Sequence, residues 1–158
     1  MKSNYYHVQE WTPALKQAGD ELVAKIHEAA PELEVLFMGA AALGLPGKND
    51  LDIDILCKGN EIKHYAEILK PIFGVPQKLN KEMSVWSYTQ DGIEIDCILS
   101  DPSRPNSHVP KQKKVFEILK NSPDLQERYK QLKYECDGLP YEQYEAKKKE
   151  FLSRLEAL

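Results

Sequence analysis

The stretch Leu51-Asp52-Ile53-Asp54-Ile55-Leu56 constrains this chain more than any other. Successive side chains of a β-strand point to opposite faces, so Leu51, Ile53 and Ile55 line one face and the two aspartates the other. A helix would scatter both sets around its axis. In the strand the two carboxylates project side by side, roughly 7 Å apart at their Cα atoms. Charges that close repel, and each is driven toward protonation unless a cation lies between them. On a strand otherwise made of Leu and Ile such a pair costs stability, which points to function. For one strand alone, the plain alternative is the wet face of a half-buried sheet.

A second strand repeats the pattern. Ile93-Glu94-Ile95-Asp96-Cys97-Ile98-Leu99 carries acids on one face, and it follows Met83 to Thr89 across Asp91-Gly92, a strong hairpin signal. If this strand neighbours the first, Asp96 joins Asp52 and Asp54. Three carboxylates with open positions make a hard, oxygen-rich site suited to Mg²⁺ or Mn²⁺, completed by water and substrate phosphates. A calcium loop fits poorly: Asp50, Asp52 and Asp54 match its start, but its sixth position requires glycine and here holds Ile55.

The other elements place these strands in an α+β order. Thr12-Pro13 opens a helix, with threonine as a candidate cap, and Leu15, Ala18, Leu22 and Ile26 form its apolar stripe. Val35 to Met38 reads as a short buried strand. Gly39 to Gly44 and the turn-rich loop from Leu45 to Asp50 connect it to the acidic strand. Glu61 to Phe73 reads as a helix with Asn60 as a possible cap. After the hairpin and the loop from Ser100 to Pro110, the chain is helical from Lys111. Asn121-Ser122-Pro123-Asp124 punctuates this tail and can cap a helix at Leu125, and a last helix runs from Tyr141 to about Leu155. The expectation is one domain over residues 1–158: a core over about 12–100, built on a small mixed sheet flanked by helices, and a helical C-terminal extension over about 111–158.

Bulk properties narrow the function. A chain of 158 residues suits one compact domain. Its formal net charge of -4 argues against non-specific binding of long nucleic acid. No apolar run approaches the roughly 20 residues of a membrane helix, and the first residues carry no secretory signal. Cys57, Cys97 and Cys136 fit neither a disulfide framework nor a zinc motif, so reduced buried thiols in the cytoplasm are expected.

Met38-Gly39-Ala40, Asp52-Ile53-Asp54-Ile55 and Ile95-Asp96-Cys97 together resemble the signature of the nucleotidyltransferase superfamily. That resemblance implies metal-dependent transfer of a nucleoside monophosphate from an NTP to an acceptor hydroxyl. It makes Asp52, Asp54 and Asp96 the metal ligands and catalytic acids, with Asp96 also serving the attacking hydroxyl. Gly39 and Ala40 would offer backbone N–H groups to the nucleotide phosphates at a helix start. Ala40 stands where the family carries Gly or Ser, so a phosphate-binding hydroxyl is missing while the N–H remains. A module that binds nucleotide or protein without turnover is therefore the alternative. Leu45-Pro46-Gly47-Lys48, the segment Phe116 to Lys133 and Tyr144 to Phe151 further resemble the GrpB-like (UPF0157) branch. The acceptor can be a small molecule, a protein side chain or a tRNA end.

Several neighbours of the acids are secondary candidates. Lys48 in the adjoining loop could reach a phosphate. His108, in the loop after the Asp96 strand, could contact substrate, although a lone loop histidine is more often incidental. Lys111, Lys113 and Lys114 form either an anion-binding edge or a solvated face. Trp86 and Tyr88 share a face of the hairpin, where core packing is commoner than stacking on a base.

Overall fold

The computed structural model describes residues 4–158. Its helices are α1 (Pro13–Ala29), α2 (Ala40–Leu43), α3 (Ile62–Phe73), α4 (Val109–Lys120), α5 (Pro123–Glu135) and α6 (Tyr141–Glu156). Its strands are β1 (Glu34–Met38), β2 (Asp50–Leu56), β3 (Lys78–Leu79), β4 (Met83–Gln90) and β5 (Ile93–Ser100). They form one mixed sheet in the order β1-β2-β5-β4-β3, in which β2 and β5 run parallel and every other pair is antiparallel.

The alternation read from the sequence divides the sheet into two unlike faces. Leu51, Ile53 and Ile55 of β2, Ile95, Cys97 and Leu99 of β5 and Trp86 of β4 form the main core with α1 and α3. From α1 come Leu15, Leu22 and Ile26; from α3 come Ile62, Tyr65, Ala66 and Leu69. Gly19 lies in the same stripe of α1, and the Phe37 ring of β1 fills the space where its Cβ would stand. That absence of a side chain lets α1 settle onto the edge strand. Trp86 is fully buried, lies over Phe73 with ring centroids 5.0 Å apart, and donates its indole N–H to the Gly74 carbonyl at 3.0 Å. Tyr88, partly buried, packs against this core too, on the face of the hairpin that Trp86 shares.

The hairpin is closed by Asp91 and Gly92, both at positive φ (52° and 78°), the conformation a two-residue turn needs to follow the strand twist. At the start of α5, the Ser122 hydroxyl accepts from the Leu125 amide at 3.3 Å, as its cap. Two expected caps do not form. Thr12 is extended at the start of α1 and makes no side-chain cap bond, leaving Pro13 to begin the helix. Asn60 lies inside a 3-10 turn (Gly59–Glu61) that leads into α3.

The other sheet face carries the acids and receives the helical tail. Leu45, Leu119, Tyr129 and Leu155 form a second apolar cluster with Ala40 and Leu43, so α4, α5 and α6 close over the segment that follows β1. The N-terminal arm straps this arrangement together. Tyr6 donates its amide to Leu139 and stacks on Tyr144 at 3.6 Å, while Gln9 and Gly47 exchange backbone hydrogen bonds. Among the described residues no helix is long and apolar enough to cross a membrane.

Trp86 joins the hairpin to α3, and truncating it opens a cavity the size of an indole. Trp86→Ala is expected to lower the unfolding free energy by about 3–5 kcal/mol, read as a drop in the urea midpoint at an unchanged denaturant slope.

Candidate active site

The register of the sheet lines up four residues across four strands. Met38 of β1 stands opposite Asp52 of β2, Asp52 opposite Asp96 of β5, and Asp96 opposite Ser87 of β4. Asp52 and Asp96 are thus direct cross-strand neighbours on the face away from the core. Asp50, two residues before Asp52, shares that face. One carboxylate oxygen each from Asp50, Asp52 and Asp96 lie within 4.8 Å of one another.

Asp54 projects to the same face but keeps different company. The parallel register that pairs Asp52 with Asp96 places Ile98 opposite Asp54. Asp54 is buried (5% exposed), and its Oδ1 lies 2.7 Å from Nε2 of His108 at the start of α4. The close trio is therefore Asp50, Asp52 and Asp96, with Asp54 one step deeper beside an imidazole.

These acids line one side of a cavity of about 800 Å³. Gly39 forms part of its floor at φ 89°, and a Cβ on it would stand 2.8 Å from Asp52 Oδ2. Only glycine combines that left-handed backbone with so close an approach to the carboxylate. Ala40 follows at the start of α2 and also lines the cavity. The opposite wall comes from the helical tail and includes Lys111, Lys133, Lys148 and Lys149.

The electrostatics follow from this division. Burial, then the neighbouring Asp50, push the Asp52 carboxyl up to about 7; Lys148 partly offsets them, and Asp96 adds to the rise. Asp52 keeps more than a third of its surface accessible, but that surface faces the cavity rather than open solvent. Lys48 bridges the two sides. Its ammonium donates to the Tyr141 hydroxyl at 2.6 Å and stands 3.9 Å from Asp50. Burial works against that charge, yet the Tyr141 hydrogen bond and Asp50 together hold it above the ordinary lysine range.

Lys133 is the residue that sequence reading missed. It is 3% exposed, donates to the Tyr144 hydroxyl at 3.3 Å and lies 4.4 Å from the Tyr129 ring centroid. Among the described residues no carboxylate stands within ion-pair distance of it. Burial, then the charge of Lys148, pull its pKa down to about 8. A signal was present in the sequence: Leu125, Tyr129 and Lys133 recur every four residues, which puts a lysine on the apolar stripe of α5. Asp50 also had its signal, as the first acid of the alternating run.

Because the native state holds fewer protons on Lys133 than the unfolded chain does, stability contributed by this group rises between about pH 8 and 10.5. Lys133→Met is expected to flatten that rise and to stabilise the fold at pH 7 by about 1–3 kcal/mol. Chemical denaturation at pH 7 and pH 10 measures both effects.

No family profile matches the chain, and no curated protein matches it. Solved structures do. Cid1 bound to the UTP analogue UMPNPP superposes with a TM-score of 0.52 at 18% identity, over 79% of this chain and 38% of Cid1. A cytoplasmic RNA terminal U-transferase gives 0.54 at 17% identity, over 78% of this chain and 39% of its own. The GLD-2–GLD-3 poly(A) polymerase complex gives 0.50 at 13% identity, over 78% and 44%. The chain spans well under half the length of these structures. At such identities the likeness is one of fold: this chain has a nucleotidyltransferase-like α+β architecture, a five-stranded mixed sheet flanked by helices.

Proposed function

We propose that the chain is a metal-dependent nucleotidyltransferase that moves a nucleoside monophosphate from an NTP to an acceptor hydroxyl. The observation that carries this reading is the division of charge across one cavity. Asp50, Asp52 and Asp96 cluster on the sheet side, and the ammonium of buried Lys133, with no carboxylate partner among the described residues, lines the helical side. An isolated buried cation is costly unless an anion joins it, and crowded carboxylates are costly unless a cation joins them. A triphosphate with its divalent ion satisfies both walls at once.

The donor set fits a hard cation: carboxylate oxygens alone, converging within 4.8 Å. Asp50, Asp52 and Asp96 would hold Mg²⁺ or Mn²⁺, which supplies charge neutralisation on the phosphates and eases formation of the attacking alkoxide. Gly39 and Ala40 would lie along the phosphates, with Lys48, Lys133 and Lys148 turned toward the leaving pyrophosphate. Asp96 would take the proton of the acceptor hydroxyl as the new oxygen–phosphorus bond forms and the bond to pyrophosphate breaks. Asp54 would act through His108, which it fixes at the cavity wall.

Ala40 favours a second reading, a module that binds nucleotide without turnover, because no hydroxyl stands at that position. Metal-stimulated release of pyrophosphate separates the two. The GrpB-like branch is supported by the resembling segments alone, and a cytoplasmic location by an odd number of widely spaced cysteines that fits no disulfide framework. The acceptor (small molecule, protein or tRNA end) is open to the same turnover assay.

The direct test is thermal denaturation with Mg²⁺ or Mn²⁺ and each of the four NTPs. A ligand at a hundred times its dissociation constant stabilises the native state by about 2.7 kcal/mol, so a clear metal-dependent rise in Tm is expected, absent in Asp52→Asn. No rise with any nucleotide would refute the proposal. A pH series adds a second check. The cation must displace the proton that Asp52 carries below about pH 7, so affinity for Mn²⁺ should fall about tenfold per pH unit below 7 and level off above it.

A further inference from the structure

Ser87 is an exposed residue whose hydroxyl is committed to the acid cluster. It stands directly opposite Asp96 on β4, and its Oγ donates to Asp96 Oδ1 at 2.6 Å, a short bond of the kind made to a charged acceptor. Oδ1 of Asp96 is thus engaged at one lone pair, which leaves Oδ2 the freer oxygen for a cation. Asp52, the carboxylate facing it, meets Gly39 on its other side.

The backbone of Ser87 is held by a substitute for a strand. β3 pairs with β4 only through Lys78 opposite Val85 and Leu79 opposite Ser84. Extending that register two residues would put Pro76 opposite Ser87, and proline has no N–H to donate to a ladder. The Gln77 side chain fills the gap. Its Nε2 donates to the Ser87 carbonyl at 2.5 Å, and its Oε1 accepts from the Ser87 amide at 2.8 Å. An exposed serine with no burial to hold it is thus fixed at both backbone groups, and a fixed backbone aims its hydroxyl.

We propose that Ser87 is a positioning residue of the metal site, holding Asp96 so that it offers a single oxygen, with Gln77 as its support at the sheet edge. This rests on the nucleotidyltransferase reading of the cavity. The consequence is selectivity as well as affinity. A carboxylate restricted to one oxygen suits the small octahedral ions Mg²⁺ and Mn²⁺, whereas Ca²⁺ gains from carboxylates that can bind through both oxygens.

The test is titration of the full chain with Mn²⁺ alone, followed by electron paramagnetic resonance of the free ion, and competition by Ca²⁺. Wild type, Ser87→Ala, Ser87→Thr and Asp96→Asn are compared, with metal-free melting temperatures measured in parallel. Ser87→Ala is expected to bind Mn²⁺ about tenfold more weakly and to be displaced by Ca²⁺ more readily, at an unchanged metal-free melting temperature. Ser87→Thr, which keeps the hydroxyl, should restore both properties. If Ser87→Ala matches wild type while Asp96→Asn loses Mn²⁺, the positioning role is wrong and the metal site stands. Failure of Ser87→Thr to restore binding would also overturn the role. Wild type without affinity for Mn²⁺ would overturn both the role and the site beneath it.

Discussion

Everything at the candidate site depends on the parallel pairing of β2 with β5. Those strands are separated in the chain by α3, β3 and β4, and their register sets Asp96 directly against Asp52. A slip of one residue would turn one strand's acids into the apolar core and its core residues onto the cavity. The register is held by the core face: Leu51, Ile53 and Ile55 beside Ile95, Cys97 and Leu99, all buried. The burial of six apolar side chains therefore fixes how closely two carboxylates approach on the opposite face. Packing that looks purely structural is what brings the charges together.

Those charges are costly as they stand. Asp52 is pushed up to about 7 by burial and by its acidic neighbours, while Lys133 is pulled down to about 8 by burial and by Lys148. Both groups sit beside one cavity, and each is displaced away from its charged form. A fold selected for stability alone would separate or neutralise them. The structure instead places both on the lining of one cavity of about 800 Å³, and secures the helical wall with the N-terminal arm and the Tyr6–Tyr144 stack. The cost is concentrated at the place where a bound ion and its phosphates would relieve it.

Much of the fold was legible because it is written in local patterns. The alternation in β2 and β5, the Asp91-Gly92 turn and the Ser122 cap each rest on residues within a few positions of one another. What escaped was set by contacts distant in sequence. Asp52, Asp54 and Asp96 were readable as acids on neighbouring strands, but which of them meet depends on a register between strands some forty residues apart. The register sets Asp50 and Asp54 equally far from Asp96, and side-chain contacts then bring in Asp50 and leave Asp54 to His108, a residue that looked incidental in its loop. Lys133 carried a weak signal, a lysine on an apolar stripe, whose meaning appears only when α5 closes over the acids. The two-residue β3 and the four-residue α2 are too short for any periodicity to announce them.

In the proposed function, the acids and the lysines face one another to hold a metal–triphosphate complex. The most direct measurement is anomalous diffraction from crystals grown with Mn²⁺ and a non-hydrolysable NTP analogue. A manganese peak is expected between Asp52 and Asp96, with the analogue's terminal phosphates against Lys133. Manganese elsewhere, or an analogue whose phosphates lie away from Lys133, would contradict it.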